Sequence, residues 1–225
     1  MVASILVAGI LGLYARTFLV QVYKIPSDSM TPGLLVGDLV LVDKFVFGAE
    51  RHGGSAPWWL PMRSPRVGDV VTFHRPARTS VDGSVVVKRC VALPGDTVRM
   101  VRGALRVNGR PVDFGDRVAT DRRSMTARTL PLDQYFVLGD QRARSIDSRT
   151  WGGVRGRSLI GRPFLIYSSF APRDAPEDLG FHGTEPHPDS LARTADEWGK
   201  IETDPSRDSG TWGRLRWRRC FKPVL

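Results

Sequence analysis

Hydrophobic and polar positions along this chain divide it into an apolar start, a long β-patterned middle, a polar stretch and a short basic-apolar end. Residues 2–15 are apolar apart from Ser4, and beyond Arg16 the run continues as Thr17-Phe18-Leu19-Val20. A spanning helix takes about 20 apolar residues. Counted through Val22, with Arg16 snorkelling to the interface, the stretch is long enough. No basic region precedes it and no small-x-small site follows it, so it reads as an uncleaved anchor rather than a cleaved leader.

From Val36 onward the pattern is that of strands. Leu39–Phe47, Val70–Phe73, Ser84–Leu93, Gln134–Leu138 and Leu159–Tyr167 are rich in branched and aromatic residues. Thr97–Val101 and Ala104–Val107 predict a hairpin around Arg102-Gly103, and Asn108-Gly109 supplies a further turn. Gly-Asp recurs at 37, 68, 95, 115 and 139, mostly at the mouth of a strand, which is turn chemistry. Residues 115–130 are polar and Arg-rich and predict an exposed excursion. The loop 48–66 carries Trp58 and Trp59, indoles suited to the headgroup level of a bilayer or to a tuck over the sheet.

Residues 171–210 are rich in Pro, Gly, Asp and His without sustained periodicity and predict a flexible insertion. Basic and apolar residues then alternate from Trp212 to Lys222, fitting either a closing strand or a segment touching anionic headgroups. The expected organisation is an anchor over 1–22, a mainly β domain over 23–170, an acidic insertion over 171–210 and a closing segment over 211–225.

Charge sharpens this division. The chain carries a formal net charge of +10, yet residues 171–210 hold ten acids against four bases. The remainder is therefore more basic than the total suggests; such an excess fits nucleic acid, anionic lipid or simple solubility, and here anionic lipid is the expected partner and nucleic acid is not. Cys90 and Cys220 offer neither a disulfide framework nor metal-ligand spacing, and the four histidines are scattered. A metal hydrolase is disfavoured, and no cofactor is expected.

Candidate chemistry lies in two places. Ser27 and Ser29 sit between Pro26 and Pro32, and in an extended backbone they share one face. Lys88 lies inside an apolar strand. Buried there, its pKa would fall, because desolvation disfavours the ammonium form. An unperturbed lysine is neutral only about once in 2,500 at pH 7, so a lysine base needs such an environment.

Ile25-Pro26-Ser27-Asp28-Ser29-Met30-Thr31-Pro32, followed by Gly37-Asp38, resembles the serine box of bacterial type I signal peptidases, with Asp28 where that family usually has Gly. Val87-Lys88-Arg89-Cys90-Val91-Ala92-Leu93-Pro94-Gly95-Asp96 resembles the family's lysine box. Gly139-Asp140-Gln141-Arg142-Ala143-Arg144-Ser145-Ile146-Asp147-Ser148-Arg149 is similar to its final box, and Gly68–Phe73 to a structural one. The order and gaps fit as well.

The resemblance implies an antiparallel β-sheet or barrel catalytic domain behind a single membrane anchor, on the outer face of the plasma membrane. It implies Ser29 as nucleophile and Lys88 as general base. Ser27 and the Ser29 backbone N–H would form the oxyanion hole, Ser145 would orient the lysine amine, and Asp147 with Arg149 would brace the site on one face of an extended segment. Ile25, Pro26, Met30, Leu34, Val86 and Val87 flank the pair as candidate linings of shallow apolar pockets. The implied substrates are secretory preproteins with small residues before the cut. Asp28 is expected to point outward, away from the oxyanion. A self-cleaving Ser-Lys repressor would need an upstream DNA-binding domain. A non-catalytic β module binding polyanions would not need Ser29.

Overall fold

The computed structural model describes residues 19–48, 62–76, 84–115, 121–171 and 215–224, with Val7 alone nearer the N-terminus. Among these, two antiparallel sheets carry the fold. The larger has eight strands and the smaller four. In the larger, β1 (Val20–Lys24) pairs with β2 (Asp38–Asp43), and β2 with β11 (Leu159–Ser169). The sheet continues through β3 (Val70–His74), β4 (Val85–Ala92), β9 (Gln134–Leu138) and β10 (Val154–Arg155), while β12 (Lys222–Pro223) adds to β11. The smaller sheet orders β7 (Arg110–Pro111), β6 (Ala104–Val107), β5 (Thr97–Val101) and β8 (Met125–Thr129).

Local sequence explains the turns. Arg102 and Gly103, and then Asn108 and Gly109, have positive φ at both central positions (48° and 84°, 52° and 78°), the twist-matched geometry for two-residue hairpins. The strand expected to run from Leu39 to Phe47 ends at Asp43. Its carboxylate accepts from the Phe45 and Val46 N–H groups and bends the chain away. Phe47 thereby drops into the core beside Val71, Phe73, Cys90 and Val137.

Among the described residues, three apolar clusters fill the fold. One lies around Phe47, Phe73 and Tyr135, a second joins Ile25, Met30, Leu34, Val40, Val42, Val70, Ile166 and Val224, and the third packs Val91 and Phe136 against Val98, Met100 and Leu105 of the smaller sheet. β4 touches all three clusters, through Val86 and Cys90, Val87, and Val91 and Ala92 in turn. Cys90 is wholly buried, and burial pushes its thiol up to about 12. Both cysteines are free.

Four sequence expectations change here. Val20–Val22, given above to the end of the anchor, belong to β1 and pair with β2. The serine box is a series of turns, not a strand, with Thr31 N–H bonded to the Asp28 carbonyl and Leu34 N–H to that of Met30. The polar excursion at 115–130 contains a strand, β8, whose residues are mostly exposed and so give no apolar signal. The closing segment is only partly a strand: Leu215 bridges Phe170, a 3-10 turn covers Trp217–Arg219, and β12 follows. Among the described residues no helix is long and apolar enough to cross a membrane. The expected anchor before Leu19, Trp58 and Trp59, and the acidic stretch from Pro172 lie outside the described residues.

Candidate active site

The serine loop and β4 converge on one buried contact. Lys88 Nζ lies 2.5 Å from Ser29 Oγ, and the residues are 3% and 7% exposed. Ser27 Oγ stands 3.2 Å from Ser29 Oγ. Burial is the chief force on the amine and brings its pKa from 10.5 down to about 8. Asp147 opposes that shift, Arg75 assists it, and Asp140 and Asp28 oppose it in turn. A lysine so placed is neutral far more often near pH 7 than an exposed one.

The segment after β9 fixes the nucleophile's backbone. Gln141 N–H donates to the Ser29 carbonyl at 3.1 Å. Gly139 has no room for a side chain: a Cβ there would fall 2.6 Å from the Ser29 carbonyl oxygen and 2.2 Å from Ser145 Oγ. Asp140 pairs bidentately with Arg89 of β4 at 2.7 and 2.8 Å, and both are buried. Arg89 also donates to the Gly68 carbonyl and lies over the Phe114 ring. One salt bridge thus ties the strand bearing Lys88 to the segment bonded to Ser29.

A second charged group lies behind it. Asp147 caps the short helix α1 (Ser148–Trp151) and accepts from Gly139 N–H at 3.0 Å. Arg149 pairs with Asp147 and with Asp121, each at 2.7 Å, and donates to the Arg142 and Ser145 carbonyls. Asp121 also holds Arg123, which donates to the Arg142 and Ala143 carbonyls. Asp147 is fully buried, so this is an internal brace and not a solvated pair.

Residues 1–168 match the family model described as signal peptidase, peptidase S26. The chain belongs to the signal peptidase family. Similar curated proteins include a probable signal peptidase I-1 of Synechocystis, 33% identical over 167 residues, covering 72% of this chain and 79% of that one. Another is a signal peptidase I of Pseudomonas aeruginosa, 32% identical over 197 residues, covering 70% of this chain and 68% of that one. Membership makes the chain a serine endopeptidase, a hydrolase of peptide bonds.

In this signal peptidase family member, the structure brings Ser27, Ser29 and Lys88 together and pairs Asp147 with Arg149. That pairing does not come from an extended segment. It comes from a helix N-terminus, where the carboxylate of Asp147 meets both the backbone and the side chain of Arg149. Ser145 Oγ is buried and has no hydrogen-bond partner, so the expected bond to the lysine amine is not formed in this arrangement. Asp28 points outward to Arg144 at 3.1 Å, as expected. Ile25, Met30 and Leu34 are almost fully buried in the second cluster and Val86 is buried in the first, so these four pack as core whether or not they also line a pocket. Of the six pocket candidates, Pro26 is exposed and Val87 half-buried.

Sequence reasoning missed Asp121, Arg123 and Asp38. Asp121 sat in a stretch taken for an exposed excursion, and no spacing linked it to Arg149. Gly37-Asp38 closes the serine box, but nothing in the sequence links Asp38 to Arg219.

Proposed function

We propose that this endopeptidase removes N-terminal signal peptides from secretory preproteins after small-x-small sites, with Ser29 as nucleophile and Lys88 as general base. The single observation that carries the reading is the buried 2.5 Å approach of Lys88 Nζ to Ser29 Oγ. In the neutral form the amine takes the Ser29 hydroxyl proton as Oγ attacks the scissile carbonyl, the Ser-Lys form of triad logic. The Ser29 backbone N–H and the Ser27 hydroxyl receive the tetrahedral oxyanion, each such donor being worth roughly 2.7–4 kcal/mol. The Lys88 ammonium then gives its proton to the leaving amine. Water, deprotonated by the same amine, cleaves the acyl-enzyme.

Asp147, Arg149 and the Asp140–Arg89 pair hold this arrangement from behind. Ser145 Oγ, buried without a partner, is the hydroxyl assigned to orient the Lys88 amine. Ile25, Pro26, Met30, Leu34, Val86 and Val87 are the candidates for substrate contact, with Pro26 and Val87 the more accessible. The family membership supports a single anchor in the plasma membrane with the catalytic domain outside, where the basic body would face anionic lipid.

Incubation of the full chain in detergent with a fluorogenic Ala-x-Ala peptide tests the reading. Ser29→Ala and Lys88→Ala are each expected to abolish cleavage. Turnover retained by either would sink the Ser29–Lys88 assignment, and a wild type that binds polyanions but cleaves nothing would favour a non-catalytic module.

A further inference from the structure

The serine loop is closed at its neck. Ile25 N–H donates to the Asp38 carbonyl at 2.8 Å, and Gly37 N–H donates to the Ile25 carbonyl at 2.9 Å. The Asp38 side chain is fully buried at that neck. It accepts from Leu35 N–H at 2.8 Å and from Ser169 Oγ at 2.5 Å. Its other partners come from far along the chain. Arg219 meets both carboxylate oxygens, with Nη2 at 2.6 Å and Nε at 3.2 Å.

The same guanidinium reaches into the loop itself, donating to the Gly33 carbonyl at 3.0 Å. Arg216 donates to the Val36 carbonyl at 3.1 Å and to Ser169 Oγ at 3.3 Å. The C-terminal segment that carries both arginines is itself seated on β11. Arg216 N–H bonds the Ser169 carbonyl, Phe221 N–H that of Ile166, and Val224 N–H that of Phe164. Val224 enters the apolar cluster that holds Met30 and Leu34, the loop's own buried anchors.

We propose that Arg219, with Arg216 in support, is a positioning residue: the C-terminal segment is a clamp that sets where the serine loop holds Ser29 against Lys88. A planar guanidinium bonded at once to a carboxylate and a loop carbonyl fixes direction as well as distance, which an ammonium does not. The dyad is not touched by Arg219; the effect runs through Asp38 and Gly33. Misplacing a nucleophile by about 1 Å costs on the order of 10²-fold in rate. Loosening the clamp should therefore lower kcat while leaving substrate affinity in place. This inference rests on Ser29 being the nucleophile.

The test uses the full chain in detergent, an Ala-x-Ala fluorogenic peptide, and circular dichroism to measure the folded fraction. Arg219→Ala should lose at least tenfold in kcat with KM within twofold, at a temperature where the protein remains folded. Millimolar guanidinium should restore part of that loss. Arg219→Lys should fall between wild type and Arg219→Ala. The exposed neighbour Arg218→Ala should match wild type. A kcat for folded Arg219→Ala within twofold of wild type overturns the proposal, as does a loss that only follows the folded fraction. Should Arg219→Ala not fold, Arg219→Lys decides: full kcat overturns the clamp and a reduced kcat with unchanged KM supports it. Ser29→Ala is run in parallel, and activity there would remove the nucleophile assignment rather than the clamp alone.

Discussion

Replacing Lys88 by Met should make the folded protein more stable near neutrality, by an amount that shrinks as pH rises. Lys88 is buried and its pKa is lowered from 10.5 to about 8. The unfolded chain therefore binds the extra proton more readily between those values, and stability rises with pH across that window. The cost of keeping this lysine is fully present below about pH 8 and gone above about 10.5. At 1.36 kcal/mol per pKa unit, it amounts to roughly 3 kcal/mol at pH 7. Methionine fills similar space without the charge, but it leaves Ser29 Oγ without its bond to the amine, a loss of about 1 kcal/mol. The net gain is about 2 kcal/mol at pH 7. That constant loss does not alter the slope, and the variant's advantage should fall by about 1 kcal/mol between pH 7 and 9. Urea unfolding of both proteins in nonionic detergent at pH 7, 8 and 9 measures it. The companion readout is kcat/KM of the wild type, which should rise about tenfold per unit below pH 8 and level above it. A stability difference that stays flat from pH 7 to 9 would refute the assignment of a depressed amine, whatever its sign.

Three further outcomes follow from neighbouring contacts. Asp140→Ala strips a buried partner from Arg89 and should destabilise by about 3–5 kcal/mol in thermal or urea unfolding; an effect under 1 kcal/mol would mean the pair is dispensable. Asp28→Asn removes an anion that raises the Lys88 pKa, so the midpoint of the pH–rate profile should move to lower pH. No movement, or movement upward, would show that the carboxylate does not act on the amine. Gly139→Ala places a methyl against the Ser29 carbonyl and Ser145 Oγ, and kcat should fall by about 10²-fold as the nucleophile shifts; retained kcat would mean the loop yields freely.

The strands legible in the sequence were those with an apolar face to bury. β3, β4, β5, β6, β9 and β11 all carry branched residues that end in the core, and periodicity marks them. β8 was not legible because its residues are mostly exposed, and only pairing with β5 makes it a strand. Ser29 and Lys88 were found through linear motifs, and the fold brings them together over 59 residues of separation. Asp121 with Arg149 and Asp38 with Arg219 were not found, for a different reason. A carboxylate and a guanidinium far apart in sequence carry no local signal, and only the closed fold makes them partners. The extended geometry assumed for Ser27 to Ser29 and for Asp147 to Arg149 was also wrong. In each case hydrogen-bonded turns deliver the same proximity by another route.

Cys90 lies two positions beyond Lys88 on the same strand, in a chain proposed to work outside the cell. Its sulfur is sealed in the core and its pKa is pushed up to about 12, so oxidants and alkylating reagents meet almost no thiolate in the native state. That makes the residue a built-in clock. With Cys220→Ser to silence the half-buried thiol, the rate at which a thiol reagent labels the protein reports how often β4 opens to solvent, without a label inside the active site itself.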